Sequence, residues 1–146
     1  VSEVKPLRLL AYDADDLEVI AAALEEAVTS VGELEWDAKG RRFTLGLTRY
    51  CWEAPDALLG VRVRAGLQFG GVLGVKSRNL QREPPGVLVE MLTVGFQPGE
   101  PPGGDIRLAF AGGGDVLLTV ECIDAVLADV SAPWPAPHAA ADEGEA

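Results

Sequence analysis

Leu17, Ile20, Ala21, Leu24, Ala27, Val28 and Val31 recur every three or four residues, the spacing that keeps one side of a helix apolar. Asp13 stands where an N-cap belongs, and Asp15, Asp16 and Glu18 complement the positive end of a helix. Gly32 offers a stop. The pattern predicts one long helix from Asp13 to Gly32, with Glu18, Glu25 and Glu26 on its far side. Ahead of it, residues 7–12 read as a short strand.

From residue 34 the period falls to two, the signature of strands with one buried face. Residues 34–37 and 41–52 flank Ala38-Lys39-Gly40 as a hairpin, with Phe43, Leu45, Leu47 and Cys51 sharing a face. Residues 61–69 and 72–79 read as a second hairpin around Gly70-Gly71. Segments 87–97, 105–111 and 115–124 bring the total to eight strands. Proline- and glycine-rich breakers separate them, including Pro84-Pro85-Gly86 and Pro101-Pro102-Gly103-Gly104. The run 43–75 is patterned like the run 88–120, which predicts two similar three-stranded units. The expected class is therefore α+β, mainly antiparallel, barrel-like or a sandwich, with one long N-terminal helix. A pleckstrin-homology-like barrel is an alternative architecture. Residues 1–130 are expected to form a single globular domain. Residues 131–146, Ala/Pro-rich and then acidic, read as a disordered tail in which Trp134 is a candidate to dock.

Charge changes the picture because it is unevenly spread. The chain has 146 residues and a formal net charge of −11. Residues 41–82 nevertheless carry eight basic and two acidic side chains. Pairing Gln68 with Val72 in the 61–79 hairpin puts Val61, Val63, Ala65 and Leu67 on one face with Leu73 and Val75. Arg62, Arg64, Lys76 and Arg78 then gather on the other. That register sets Arg64 opposite Lys76 and Arg62 opposite Arg78. Like charges across a ladder cost on the order of a few tenths to 1 kcal/mol, so a counter-charge is expected. Arg49, with Tyr50 and Trp52 beside it, is a candidate to extend this face. In the 105–124 hairpin, Arg107, Thr119 and Glu121 share the polar side without a comparable cluster.

The chemistry available is sparse. The one histidine, His138, falls in the tail, which leaves a Ser–His or Cys–His nucleophile without a base in the expected domain. Cys51 and Cys122 are expected as buried, reduced thiols. No clustered spacing suggests a metal site, and no cofactor is expected. Gly112-Gly113-Gly114 joins strand to strand, whereas a phosphate-cradling loop opens a helix. Glu121 and Asp124 lie near Cys122, and a catalytic pair of acids there would need a cleft and a defined separation. No apolar run is long enough to cross a bilayer. The N-terminal segment lacks the pattern of a secretory signal, so the cytoplasm is the expected compartment.

Phe110-Ala111-Gly112-Gly113-Gly114, followed by Val120-Glu121-Cys122-Ile123-Asp124-Ala125 and Asp129, resembles an uncharacterised alphaproteobacterial family catalogued only as a domain of unknown function. The resemblance extends over about residues 7–134 and includes 7–16, 42–53 and 66–78. It implies a small bacterial protein and supplies no activity, ligand or catalytic residue.

The residues themselves favour a non-enzymatic protein-binding module that uses Arg62, Arg64, Lys76 and Arg78, with Arg49, to engage an acidic partner. A small anionic-ligand or nucleic-acid-binding domain is the alternative, though a chain this acidic repels nucleic acid at long range. An enzyme built on carboxylates alone is a third reading. Oligomeric state is not encoded in any of these patterns.

Overall fold

The computed structural model describes residues 5–53, 60–80 and 84–135. In chain order these form β1 (Arg8–Ala11), α1 (Ala14–Ala23), β2 (Val28–Ser30), a single 3-10 turn (Val31–Glu33), β3 (Leu34–Asp37) and β4 (Arg42–Tyr50). There follow β5 (Val61–Phe69), β6 (Val72–Arg78), β7 (Leu88–Pro98), β8 (Gly104–Phe110), β9 (Asp115–Val120), β10 (Ala125–Asp129) and the two-residue β11 (Trp134–Pro135). Mainly antiparallel sheet with one α-helix is thus the architecture of the described residues. Strands number ten of three residues or more, rather than the expected eight.

The helix starts as its sequence dictates. Asp13 accepts a hydrogen bond from the Asp16 amide at 2.8 Å, while the Asp16 carboxylate accepts from the Tyr12 amide at 3.1 Å. It ends eight residues earlier than Val31, at Ala23. Glu26 takes a left-handed φ of 64°, and Val28-Thr29-Ser30 then runs extended. Valine and threonine favour strand, where branched side chains fit the pleat. β2 pairs with β7 through Val28↔Glu90, Thr29↔Val89 and Ser30↔Leu88. The helical stripe was therefore a compound of a short helix, whose Leu17 and Ile20 are buried, and a strand that continues the same spacing by coincidence.

Strands pair in the order β1-β10-β5-β4-β2-β7-β8-β9-β6, with β3 also on β4 and β11 also on β5. β1 and β6 end the path without pairing to each other, so the sheet does not close into a barrel. The β3–β4 hairpin forms as expected, from Leu34↔Leu45 to Asp37↔Arg42. So does β8–β9, with Ile106↔Leu118 and Leu108↔Val116. The 61–79 hairpin does not form. β5 lies between β4 and β10, and β6 pairs with β9.

The link between β5 and β6 explains why. Gly71 has a left-handed φ of 63°, and the chain leaves β5 instead of folding back. Asp124 accepts from the Gly70 amide, Gly71 accepts from the Glu121 amide, and Arg41 accepts from the Val72 amide, all at 2.8–2.9 Å. With these partners supplied by the β9–β10 bend and the β3–β4 turn, the two glycines form a crossover rather than a turn. The proposed duplication fails for the same reason: β7-β8-β9 is a meander, whereas β4-β5-β6 is not. One main core, including Phe43, Leu67, Phe69, Met91, Leu108 and Phe110, fills the space beneath both parts of the sheet.

Residues 131–135, expected to be disordered, are held in place. Arg64 donates its amide to the Ser131 hydroxyl at 3.0 Å and accepts from the Val130 amide at 2.8 Å. Trp134 then pairs with Arg62. Residues 131–135 thus belong to the sheet, and 136–146, with His138, lie outside the described residues.

Candidate functional site

The five basic residues singled out from sequence divide among three environments. Arg49 is in phase with Phe43, Leu45 and Leu47, and it points inward. Its side chain is 0% exposed. Asp129 accepts from Nε and Nη2 at 2.9 Å each, Glu53 accepts from Nη1 at 3.1 Å and Nη2 at 2.8 Å, and the Tyr50 carbonyl accepts from Nη1 at 2.9 Å. All five guanidinium protons are used. Desolvation opposes the charge, but the hydrogen bonds and charges of Glu53 and Asp129 outweigh it and raise the Arg49 pKa further above its ordinary value. The bond to Arg49 pulls Glu53 down correspondingly. Arg49 does not extend an outward basic face. It ties the end of β4 to the end of β10.

Arg62 and Arg64 do face outward on β5, and both are engaged within the molecule. Arg62 lies over the Tyr50 ring, 4.8 Å from its centroid, and donates from Nη2 to the Tyr50 hydroxyl at 3.0 Å. Arg64 forms an ion pair with Glu33 and donates to the Thr48 hydroxyl at 3.1 Å. Glu33 arrives from the 3-10 turn, an element the long-helix reading had hidden. Trp52 packs near Tyr50, with centroids 5.3 Å apart, and its indole N–H reaches the Glu25 carbonyl just after α1.

Lys76 and Arg78 sit elsewhere, because β6 pairs with β9. The register Arg78↔Asp115, Lys76↔Leu117 and Leu117↔Arg107 places Lys76, Arg78 and Arg107 on one outer face of β6, β9 and β8. Asp115 is buried at the centre of this group. Its carboxylate accepts from Arg78 Nε at 3.1 Å and Nη2 at 2.7 Å, and from Arg107 Nε at 2.7 Å. The hydrogen bonds from these two arginines overcome its desolvation and hold its pKa down at about 2. The side chains of Arg78 and Arg107 remain 71% and 52% exposed. Lys76 is exposed and makes no ion pair among the described residues. A depression of about 230 Å³ opens between Lys76, Arg78, Asp115 and Leu117. Two guanidiniums thus hold one carboxylate and Lys76 lines the same depression, so cations outnumber anions on this face. Asp105, one row along and accepting from Thr119 at 3.1 Å, bounds the group.

Arg107 was the residue sequence reasoning missed. Its outward phase on β8 was legible, but the strand that brings Lys76 and Arg78 beside it was not.

The remaining candidates have ordinary structural roles. Neither cysteine is in a disulfide; Cys51 is buried, while Cys122 is half-buried in the bend between β9 and β10. Gly112 and Gly113, both with φ of 94°, turn β8 into β9. Glu121 meets Arg41 at 3.4 Å on the surface. Among the described residues, Asp37, Glu53 and Asp115 are each held below the ordinary carboxylate value, away from the raised value that a general acid needs near neutral pH. Among the described residues, no three His, Cys, Asp or Glu side chains cluster as metal ligands, and no helix is long and apolar enough to cross a membrane.

Fold and surface together define a β-rich α+β protein with three exposed cations, Lys76, Arg78 and Arg107, side by side on one sheet face. Over residues 7–142 the chain matches the family model described as "Protein of unknown function (DUF2948)", and it belongs to that family. No curated protein and no solved structure is significantly similar to it.

Proposed function

We propose that the protein is a non-enzymatic binding module that engages an acidic partner protein through Lys76, Arg78 and Arg107. One observation carries this reading: the three cations share an exposed face with a single buried carboxylate. Arg49, Arg62 and Arg64, by contrast, are committed to partners inside the molecule. Asp115 orients the two guanidiniums before anything binds, which lowers the ordering entropy that association must overcome. The net charge of −11 repels long polyanions, so a local acidic segment suits the face better than nucleic acid does.

Fluorescence anisotropy of a labelled hexaglutamate peptide tests the reading. The native chain binds at low salt and releases the peptide as salt rises, because exposed charges are screened beyond about 10 Å at roughly 0.1 M. Lys76→Gln and Arg107→Gln each weaken binding. Absence of binding at low salt, or affinity in both variants equal to that of the native chain, rejects the proposal.

A further inference from the structure

Resting on that reading, we infer that the acidic group received by this face is a phosphomonoester on a serine or threonine side chain of a partner protein.

The first reason is charge. Lys76, Arg78 and Arg107 outnumber Asp115 and the neighbouring Asp105, so the face is net positive, and a phosphomonoester carries about −1.5 to −2 at pH 7, whereas one carboxylate carries a single charge. The second is geometry. Lys76 and Arg78 line the depression and Arg107 shares Asp115 with Arg78; a phosphoryl group has three terminal oxygens to accept from such donors, whereas a carboxylate has two. Arg78 turns Nε and Nη2 toward Asp115, and Arg107 turns Nε. Both guanidinium planes are therefore fixed from beneath while the side chains stay more than half exposed. The third is size and setting. A depression of about 230 Å³ has room for a phosphoryl group together with the side chain that carries it. Among the described residues it is lined by only four, Lys76, Arg78, Asp115 and Leu117, on the outer side of β6 and β9. A partner protein supplies the remaining cover itself, and the half-buried Leu117 between Lys76 and Arg107 gives its flanking residues an apolar contact.

The test uses the full chain and four probes: a labelled Ala-Ala-phosphoserine-Ala-Ala peptide, the same peptide with glutamate at the centre, hexaglutamate, and inorganic phosphate. The phosphopeptide is expected to bind about fivefold or more tighter than its glutamate counterpart near pH 7. That preference shrinks as pH falls through about 6, where the phosphate loses its second charge. Lys76→Gln, which disturbs no ion pair, lowers phosphopeptide affinity while leaving the thermal midpoint unchanged. Arg107→Gln lowers it as well. Hexaglutamate binding with equal affinity for the two pentapeptides overturns the phosphoryl inference and leaves the acidic-partner reading standing. Inorganic phosphate binding as tightly as the phosphopeptide overturns the protein-borne source. Failure of every probe, hexaglutamate included, sinks both readings.

Discussion

Arg49 and Asp129 are eighty residues apart in the chain and meet in a two-pronged ion pair, Nε to Oδ1 and Nη2 to Oδ2, both 2.9 Å. Asp129 Oδ2 also accepts from the Leu7 amide at 2.8 Å, so one carboxylate gathers the ends of β4 and β10 and the start of β1. Arg49→Met leaves a buried carboxylate without its cation. Removing one member of such a pair costs about 3–5 kcal/mol, and denaturant melts should show a loss of that order. The double variant Arg49→Met with Asp129→Leu is expected to lose less than Arg49→Met alone, since apolar contact then replaces both charges.

Acid sensitivity follows from Asp115. Its folded pKa, about 2, lies below the ordinary value of 3.8, so the folded state favours the ionised carboxylate. That contribution is complete above the ordinary value and is lost as pH falls toward about 2. Asp115→Asn is therefore less stable than the native chain near neutral pH, and the two thermal midpoints converge as the solution is acidified. Asp37 and Glu53 shift in the same direction, so both proteins keep some acid sensitivity. Midpoints measured between about pH 6 and 2 check this; parallel curves contradict it.

Two glycines of the β5–β6 region should respond oppositely to alanine. A Cβ at Gly66 meets nothing within 4 Å, and its φ is not left-handed. Gly66→Ala removes unfolded-state freedom without strain and should stabilise by about 0.5–1 kcal/mol. At Gly71, φ is +63° and a Cβ falls 3.0 Å from Glu121 Cγ. Gly71→Ala is expected to destabilise by about 1–2 kcal/mol, read from the shift in urea midpoint.

What the sequence disclosed was mostly local. Alternation on β4, β5, β8 and β9 predicted which side chains are buried, and Asp13 predicted the start of α1. The same alternation placed Arg49 in phase with Leu45 and Leu47, a signal of inward burial that its charge obscured. What stayed hidden depended on pairing between distant segments. Gly70-Gly71 suits a tight turn as well as a crossover, and only competition from β4, β9 and β10 decides between them. Val28 fits a helical stripe until β7 offers it a ladder. The cation group is a product of such choices: moving β6 from β5 to β9 separates Lys76 and Arg78 from Arg62 and Arg64 and unites them with Arg107.

Amide chemical-shift mapping during titration with hexaglutamate at low salt tests the central claim most directly. The predicted result is perturbation confined to Lys76, Arg78, Arg107, Leu117 and their strand neighbours, reversed by added salt. Shifts centred instead on Arg62 and Arg64, or no shifts at all, contradict it.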